Sequence, residues 1–282
     1  MAVVRNSSSG IWTVAGVLIP DKCMIVGVCR MDDKHLFSLE GKTVLITGAT
    51  EEPGFSIACQ LAYAGASLIC PCANEQELVD GSQAFEEMGI QICGKVCDLT
   101  SQVSIRDFVN EIMDTFGGVD ILVNHVGIRK RMSMTDRKAG LHGWMLDENL
   151  TGAFMVSKAI IPGMVGIGGG KIIYICSVKA ESGAGLVPTC ISARGSLKML
   201  TESIASEYGR YHIQCNGIYP GCIGHQTECS LHRMDCVAGC RHSREDWESG
   251  ENLAGPVLFL ASRASDSVNG QILHIQGCGR ME

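Results

Sequence analysis

Positive charge is scarce in this chain: 23 Lys and Arg stand against 30 Asp and Glu, for a formal net charge of −7. An acidic surface repels polyanions, so neither nucleic acid nor an anionic membrane is an expected partner. Long apolar runs are missing too. The amino-terminal segment holds IWTVAGVLIP and CMIVGVC, but Pro20, Asp21 and Lys22 interrupt them. Neither run approaches the roughly 20 residues that a membrane span needs. No A-x-A-like site follows, so a cleaved leader is not expected. Residues 1–36 read instead as a loosely attached extension. Internal repeats, low-complexity linkers and CxxC pairs are also absent, although the chain has 15 cysteines. A chain of 282 residues buries a core without disulfide staples. Cys59, Cys70, Cys93, Cys97, Cys176 and Cys215 lie in apolar runs and read as small buried hydrophobes in a reducing cytoplasm.

What is present is regular. Hydrophobic residues make up 46% and charged residues 19%, ample for one core. From Phe37 onward, short apolar runs alternate with helical patterns. TVLITG, ASLIC, GKVCDL, VDILVN, KIIYIC, IQCNGIYP and GQILHIQ read as seven strands. Between them, apolar residues recur at helical spacing, as in Ile105, Phe108, Val109, Ile112 and Met113 before Gly117. Strands alternating with helices predict an α/β fold, a doubly wound (Rossmann-type) seven-stranded parallel sheet, as a single domain over residues 37–282. Ligands of such sheets bind at the carboxyl ends of the strands.

Those ends carry a series of polar and glycine motifs. TGATEEPGFSIA places Thr47, Gly48 and Thr50 at a strand end and Gly54 at a helix start, the shape of a turn that cradles a pyrophosphate. Alone, that pattern is common for structural reasons. It is joined by Asp98 at the end of the third strand, by Asn124 and Gly127 (NHVG) at the end of the fourth, by Ser177 at the end of the fifth, and by Pro220 and Gly221 at the end of the sixth. In set and order these motifs resemble the short-chain dehydrogenase/reductase family, over roughly Phe37 to Gly279. FSLEGK, KIIYICS, GSLKMLT, IASEYG, IQCNGI, FLAS and VNGQIL resemble its gluconate 5-dehydrogenase branch.

The resemblance implies hydride transfer between a nicotinamide, of NAD or NADP, and a carbinol or carbonyl carbon, with a sugar acid as the small-molecule substrate. In the family a Tyr phenol exchanges the proton and a Lys four residues on tunes it. A Ser fixes the substrate oxygen, and an Asn on the preceding long helix completes a water relay. Carried over, the Ser is Ser177 and the Asn is Asn149. The Tyr position is Cys190 and the Lys position is Arg194. A cysteine lacks the ring that carries the phenol oxygen outward, and reach precedes pKa in general catalysis. A forked guanidinium does not replace an ammonium. The expectation is an oxidoreductase by descent with weak or lost activity; the alternative is a non-catalytic binding or assembly module.

The cofactor positions also depart from the pattern. Glu52 stands at the turn's middle glycine, where it brings bulk and like charge to a pyrophosphate. Cys72 and Ala73 stand where an acid would select NAD or a following Arg NADP. Weak binding, nearly indifferent between the two dinucleotides, is therefore expected. His125 and Val126 replace Asn and Ala, and His125 reads as a packed strand-end residue. The segment from His225 to His242 (with Cys229, His232, Cys236 and Cys240) falls at the family's substrate lid and reads as a Cys-rich lid without metal. A third reading makes Cys190 beside Arg194 a reactive thiol. The family pairs its two long central helices, here about 136–164 and 188–208, so a homo-oligomer, a tetramer, is expected.

Overall fold

The computed structural model describes residues 4–5, 12–14, 17–19, 33–125, 127, 132–176, 188–220 and 251–275. The chain divides into two units, Met1–Asp33 and Lys34–Glu282. The first holds a three-stranded antiparallel sheet, β1 (Val4–Arg5), β2 (Trp12–Val14) and β3 (Val17–Ile19), in that order.

The second unit is built on seven parallel strands: β4 (Thr43–Thr47), β5 (Ser67–Cys72), β6 (Ile92–Val96), β7 (Ile121–Asn124), β8 (Gly170–Ile175), β9 (Ile213–Pro220) and β10 (Ile272–Ile275). Their order is β10-β9-β8-β7-β4-β5-β6. The chain winds outward from β4 to β6, then returns beside β4 with β7 and winds the other way. The reversal leaves a crevice beyond the carboxyl ends of β4 and β7, where the connections diverge to opposite faces.

Helices cover both faces because the strands are apolar on both sides. Val44 and Ile46 pack with the helices Gly54–Tyr63 and Glu251–Ala261. Leu45, between them, packs with Gln102–Phe116, Gly152–Gly166 and Pro188–Tyr208. The same alternation separates Ile173 and Ile175 from Ile172 and Tyr174. Burying one such side chain contributes about 1.5–3 kcal/mol, so a one-residue slip in register is strongly disfavoured. At the amino end of the sheet, Asp120 accepts from the Thr43 backbone N–H at 3.0 Å and from Lys42 Nζ at 2.7 Å, tying β4 to the start of β7.

Two sequence expectations are corrected. GKVCDL does not form the third strand as a block: the strand runs from Ile92 to Val96, so Asp98 lies two residues past its end. This is an edge strand with no fully buried residue, and Cys93 and Gly94 blur its period. The central helix expected over 136–164 is interrupted. It comprises Ala139–Leu146, one π-helical turn at Asp147–Thr151, and Gly152–Gly166. Apolar spacing does not reveal a single π turn, and such turns recur at functional sites. Among the described residues, no helix is long and apolar enough to cross a membrane.

Candidate active-site crevice

The crevice has two ends. At the first, Thr47 and Asn124 are paired across β4 and β7. Thr47 Oγ1 accepts the His125 backbone N–H at 3.0 Å. Gly48 turns the chain at φ +66°, a conformation that disfavours a Cβ. A Cβ on Gly54 would overlap the Gly48 carbonyl, so the glycine is what lets the following helix begin against the turn. Glu52 directs its carboxylate to Ser56, whose hydroxyl donates to it at 2.8 Å.

Asn124 is buried at the end of β7. Its Nδ2 donates to Ser157 Oγ at 3.3 Å, and Ser157 Oγ lies 2.6 Å from the Tyr174 hydroxyl. Its Oδ1 is buried without a hydrogen-bond partner. Asn124 thus braces β7 against the helix Gly152–Gly166.

His125 fits the expectation of a packed side chain. Its Nδ1 is 3.3 Å from the Gly48 carbonyl oxygen, which can only accept, so this contact requires the Nδ1–H tautomer. Burial lowers its pKa to about 4, and the nearby Arg194 charge adds to that, while the Gly48 carbonyl opposes both. The ring is neutral at pH 7.

Beside this turn lies a pocket of about 150 Å³, walled by Gly48, Ala73, Glu77, Asp98 and Glu148 among others. The helix Glu75–Glu87 begins at Asn74, whose side chain accepts the Glu77 N–H at 3.0 Å. Glu77 reaches back to accept the Ala73 N–H at 2.7 Å and the Thr50 hydroxyl at 2.6 Å. Asp98 accepts from the Thr100 hydroxyl and N–H, which hold its pKa below the usual carboxylate range. Cys72 is buried at the end of β5. Burial, with Glu77 adding to it, pushes its thiol up to about 11.

At the other end stand the residues that align with the family's catalytic positions. Asn149 is fully buried within the π turn; its Nδ2 donates to the Met145 carbonyl at 2.8 Å. Its Oδ1 accepts from Arg194 Nε at 3.3 Å. Gly127 makes room for this pair, because a Cβ there would run into both the guanidinium and Asn149 Oδ1. Cys190 is 4% exposed and packs with Met145, Leu141 and Ile191. A thiol so placed is not presented to solvent, which removes the exposure that the reactive-thiol reading requires. Cys176, at the end of β8, is also buried; burial pushes its thiol up to about 12, while Arg194 pulls the other way.

The structure therefore brings Thr47, Gly48, Thr50, Glu52, Gly54, Cys72 and Asp98 around the first end, and Gly127, Asn149, Cys190 and Arg194 around the second. Pro220 closes β9 at the same edge of the sheet. Ser177, Gly221 and the 225–242 segment lie outside the described residues. Among the described residues, no group of three His, Cys, Asp or Glu is placed to hold a metal. Sequence reasoning missed Glu77 and Glu148. The Asn74-x-x-Glu77 spacing, a capping-box pattern, was a usable signal for the first.

The short chain dehydrogenase family model matches residues 42–234, and the chain belongs to that family. It is 33% identical over 247 residues to 2-dehydro-3-deoxy-D-gluconate 5-dehydrogenase of Formosa agariphila, covering 86% of this chain and 94% of the relative. It is 32% identical over 250 residues to gluconate 5-dehydrogenase of Gluconobacter oxydans, covering 88% and 98%. Its fold is similar to the crystal structure of a gluconate 5-dehydrogenase from Burkholderia cenocepacia in complex with NADP and tartrate. The TM-score there is 0.78 at 31% identity, over 87% of this chain and 97% of that one.

Proposed function

We propose that this chain binds a nicotinamide dinucleotide, as a sugar-acid dehydrogenase of the gluconate 5-dehydrogenase type does, and that its hydride-transfer turnover is weak or lost. The residues at the first end fit the cofactor. Gly48 and Gly54 keep their two positions in the turn free of side chains, and the adjoining pocket opens beside it. Thr47, Gly48, Thr50, Gly54, Asp98 and Gly127 would hold it, and it would supply the hydride acceptor or donor.

The observation that carries the loss of turnover is the packing of Cys190 against Met145, with Arg194 bonded to Asn149. Cys190 contributes no exposed acid or base to a substrate oxygen. Arg194 does not shuttle protons, since a guanidinium stays charged at all working pH values. Acid–base help of this kind is worth about 10²–10⁴-fold in rate. Arg194 acts instead as a fixed positive charge that positions Asn149.

Titration with NADH and NADPH by fluorescence, followed by turnover assays on gluconate and 5-ketogluconate, tests the reading. Binding without ordinary enzymatic turnover is expected. Ordinary rates would show that another acid–base group acts. Absence of dinucleotide binding would favour the non-catalytic module.

The chain is further proposed to form a homo-oligomer, a tetramer, through its two central helices. The apolar side chains of Trp144, Phe154 and Met199 are exposed on them, as expected of surfaces awaiting a second copy. A monomer by sedimentation at micromolar concentration would refute this. The eight described cysteines are all free thiols, which supports a cytoplasmic location.

A further inference from the structure

We infer that Glu77 is the residue that selects the dinucleotide, favouring NAD(H) over NADP(H), in place of the uncharged residues at the end of β5. This rests on the proposed dinucleotide reading and sharpens it, because Cys72 and Ala73 alone leave the choice open.

Glu77 lies in the first turn of the next helix, and its carboxylate returns to the strand end. One oxygen accepts the Ala73 N–H at 2.7 Å and the other the Thr50 hydroxyl at 2.6 Å. The Asn74 cap on its own N–H fixes its backbone. Two consequences follow. The first backbone donor beyond the strand and the Thr50 hydroxyl are both already engaged by Glu77, so neither is free to receive a 2′-phosphate, while the turn's backbone remains for the pyrophosphate. Each carboxylate oxygen also keeps a lone pair, which suits the donor hydrogen of a ribose 2′-hydroxyl.

The rest of the pocket wall has the same sign. Asp98 and Glu148 line it with Glu77, and no Lys, Arg or His is among the described residues that line it. Burial, with the Asp98 charge contributing, raises the Glu148 pKa, so the carboxylates sense one another there. A 2′-phosphate would add about two negative charges to this acidic wall, where the described lining offers it no cation.

The test is fluorescence titration of the full chain with NADH and with NADPH, beside Glu77→Gln and Glu148→Gln. NADH is expected to bind at least about tenfold more tightly. Glu77→Gln should bring the two affinities within about threefold, mainly by improving NADPH binding. Glu148→Gln leaves the Asn74 cap intact, so it should narrow the ratio by a smaller factor even if Glu77→Gln loosens the helix start. Thermal melts report that loosening. NADPH binding as tightly as NADH, or a ratio unmoved by both variants, would overturn the selection while leaving dinucleotide binding intact. Binding of neither dinucleotide would overturn the underlying reading, and the selector with it.

Discussion

The two ends of the crevice have changed in opposite ways. At the turn and pocket end, the departures from the family pattern are polar and organised. Glu52 is held by Ser56, and His125 sits against the Gly48 carbonyl; beside them Glu77 is held by Ala73 and Thr50. At the catalytic end, the departure is a loss of polarity. A thiol packs among Met145, Leu141 and Ile191, where the family has a phenol. Gly127, Asn149 and the π turn around it stay in place. Binding requires only a surface of suitable shape and charge, and tolerates substitutions that retune it. Proton transfer depends on one atom at one position, and is therefore far more sensitive to a single shortened side chain.

The largest effect expected from breaking this contrast is in turnover. The double change Cys190→Tyr with Arg194→Lys restores the phenol, its reach and the ammonium together. It should raise turnover on gluconate by about 10²-fold or more over the parent, and neither single change should recover as much, because the pair acts as a unit. Cys190 is packed, so the larger ring costs about 1–3 kcal/mol in crowding against Met145. A lowered melting temperature alongside raised turnover is the expected signature. Turnover that stays flat in a folded, cofactor-binding double variant would mean that the missing phenol is not what limits the reaction.

A second effect concerns pH and the turn end alone. The pKa of His125 falls from its ordinary 6.5 to about 4 in the folded protein. Between those values the unfolded chain binds more protons than the folded one, so stability falls as pH falls. The contribution is fully present above about pH 6.5 and is lost progressively toward pH 4, on the order of 3 kcal/mol. His125→Asn should remove that part of the slope and leave other acid-sensitive groups unchanged. Urea unfolding of both proteins at pH 7 and pH 4.5 measures it, and parallel slopes would show that the ring is not held neutral.

The two ends also differ in how much of them the sequence displays. The seven strands were legible because a buried parallel strand is a continuous apolar, β-branched run; IQCNGIYP coincides with β9 residue for residue. Gly48 and Gly54 were visible as a strand–turn–helix pattern, whereas Asn149, Cys190 and Arg194 were placed only by the resemblance to the family's motifs. What stayed hidden was contact between distant residues. Nothing in the local pattern says that Arg194 will bond Asn149 through the space at Gly127, or that Met145 will fill the room beside Cys190. The return of Glu77 to Thr50 is of the same kind. β6 was misplaced because an edge strand half-open to solvent need not look apolar.

The smallest effect sharpens the comparison from the turn side. Glu52 occupies the family's middle glycine, and charge repulsion alone argues for a gain of one to two orders of magnitude in dinucleotide affinity when it is removed. The structure places the carboxylate on the Ser56 hydroxyl, at the first turn of the helix rather than free above the loop. Helix amino termini stabilise negative charge there, so part of the repulsion is already offset in the free protein. Glu52→Gly should therefore tighten NADH binding toward the lower end of that range, about tenfold or 1.4 kcal/mol. Ser56→Ala should act the other way, by releasing the carboxylate from its tether and weakening binding by about twofold to fivefold. Fluorescence titration of both variants decides the matter. If Glu52→Gly leaves affinity unchanged, the turn already keeps this carboxylate clear of the phosphates. If Ser56→Ala is also silent, the hydrogen bond has no bearing on binding, and the turn end is closer to an intact family site than its sequence indicates.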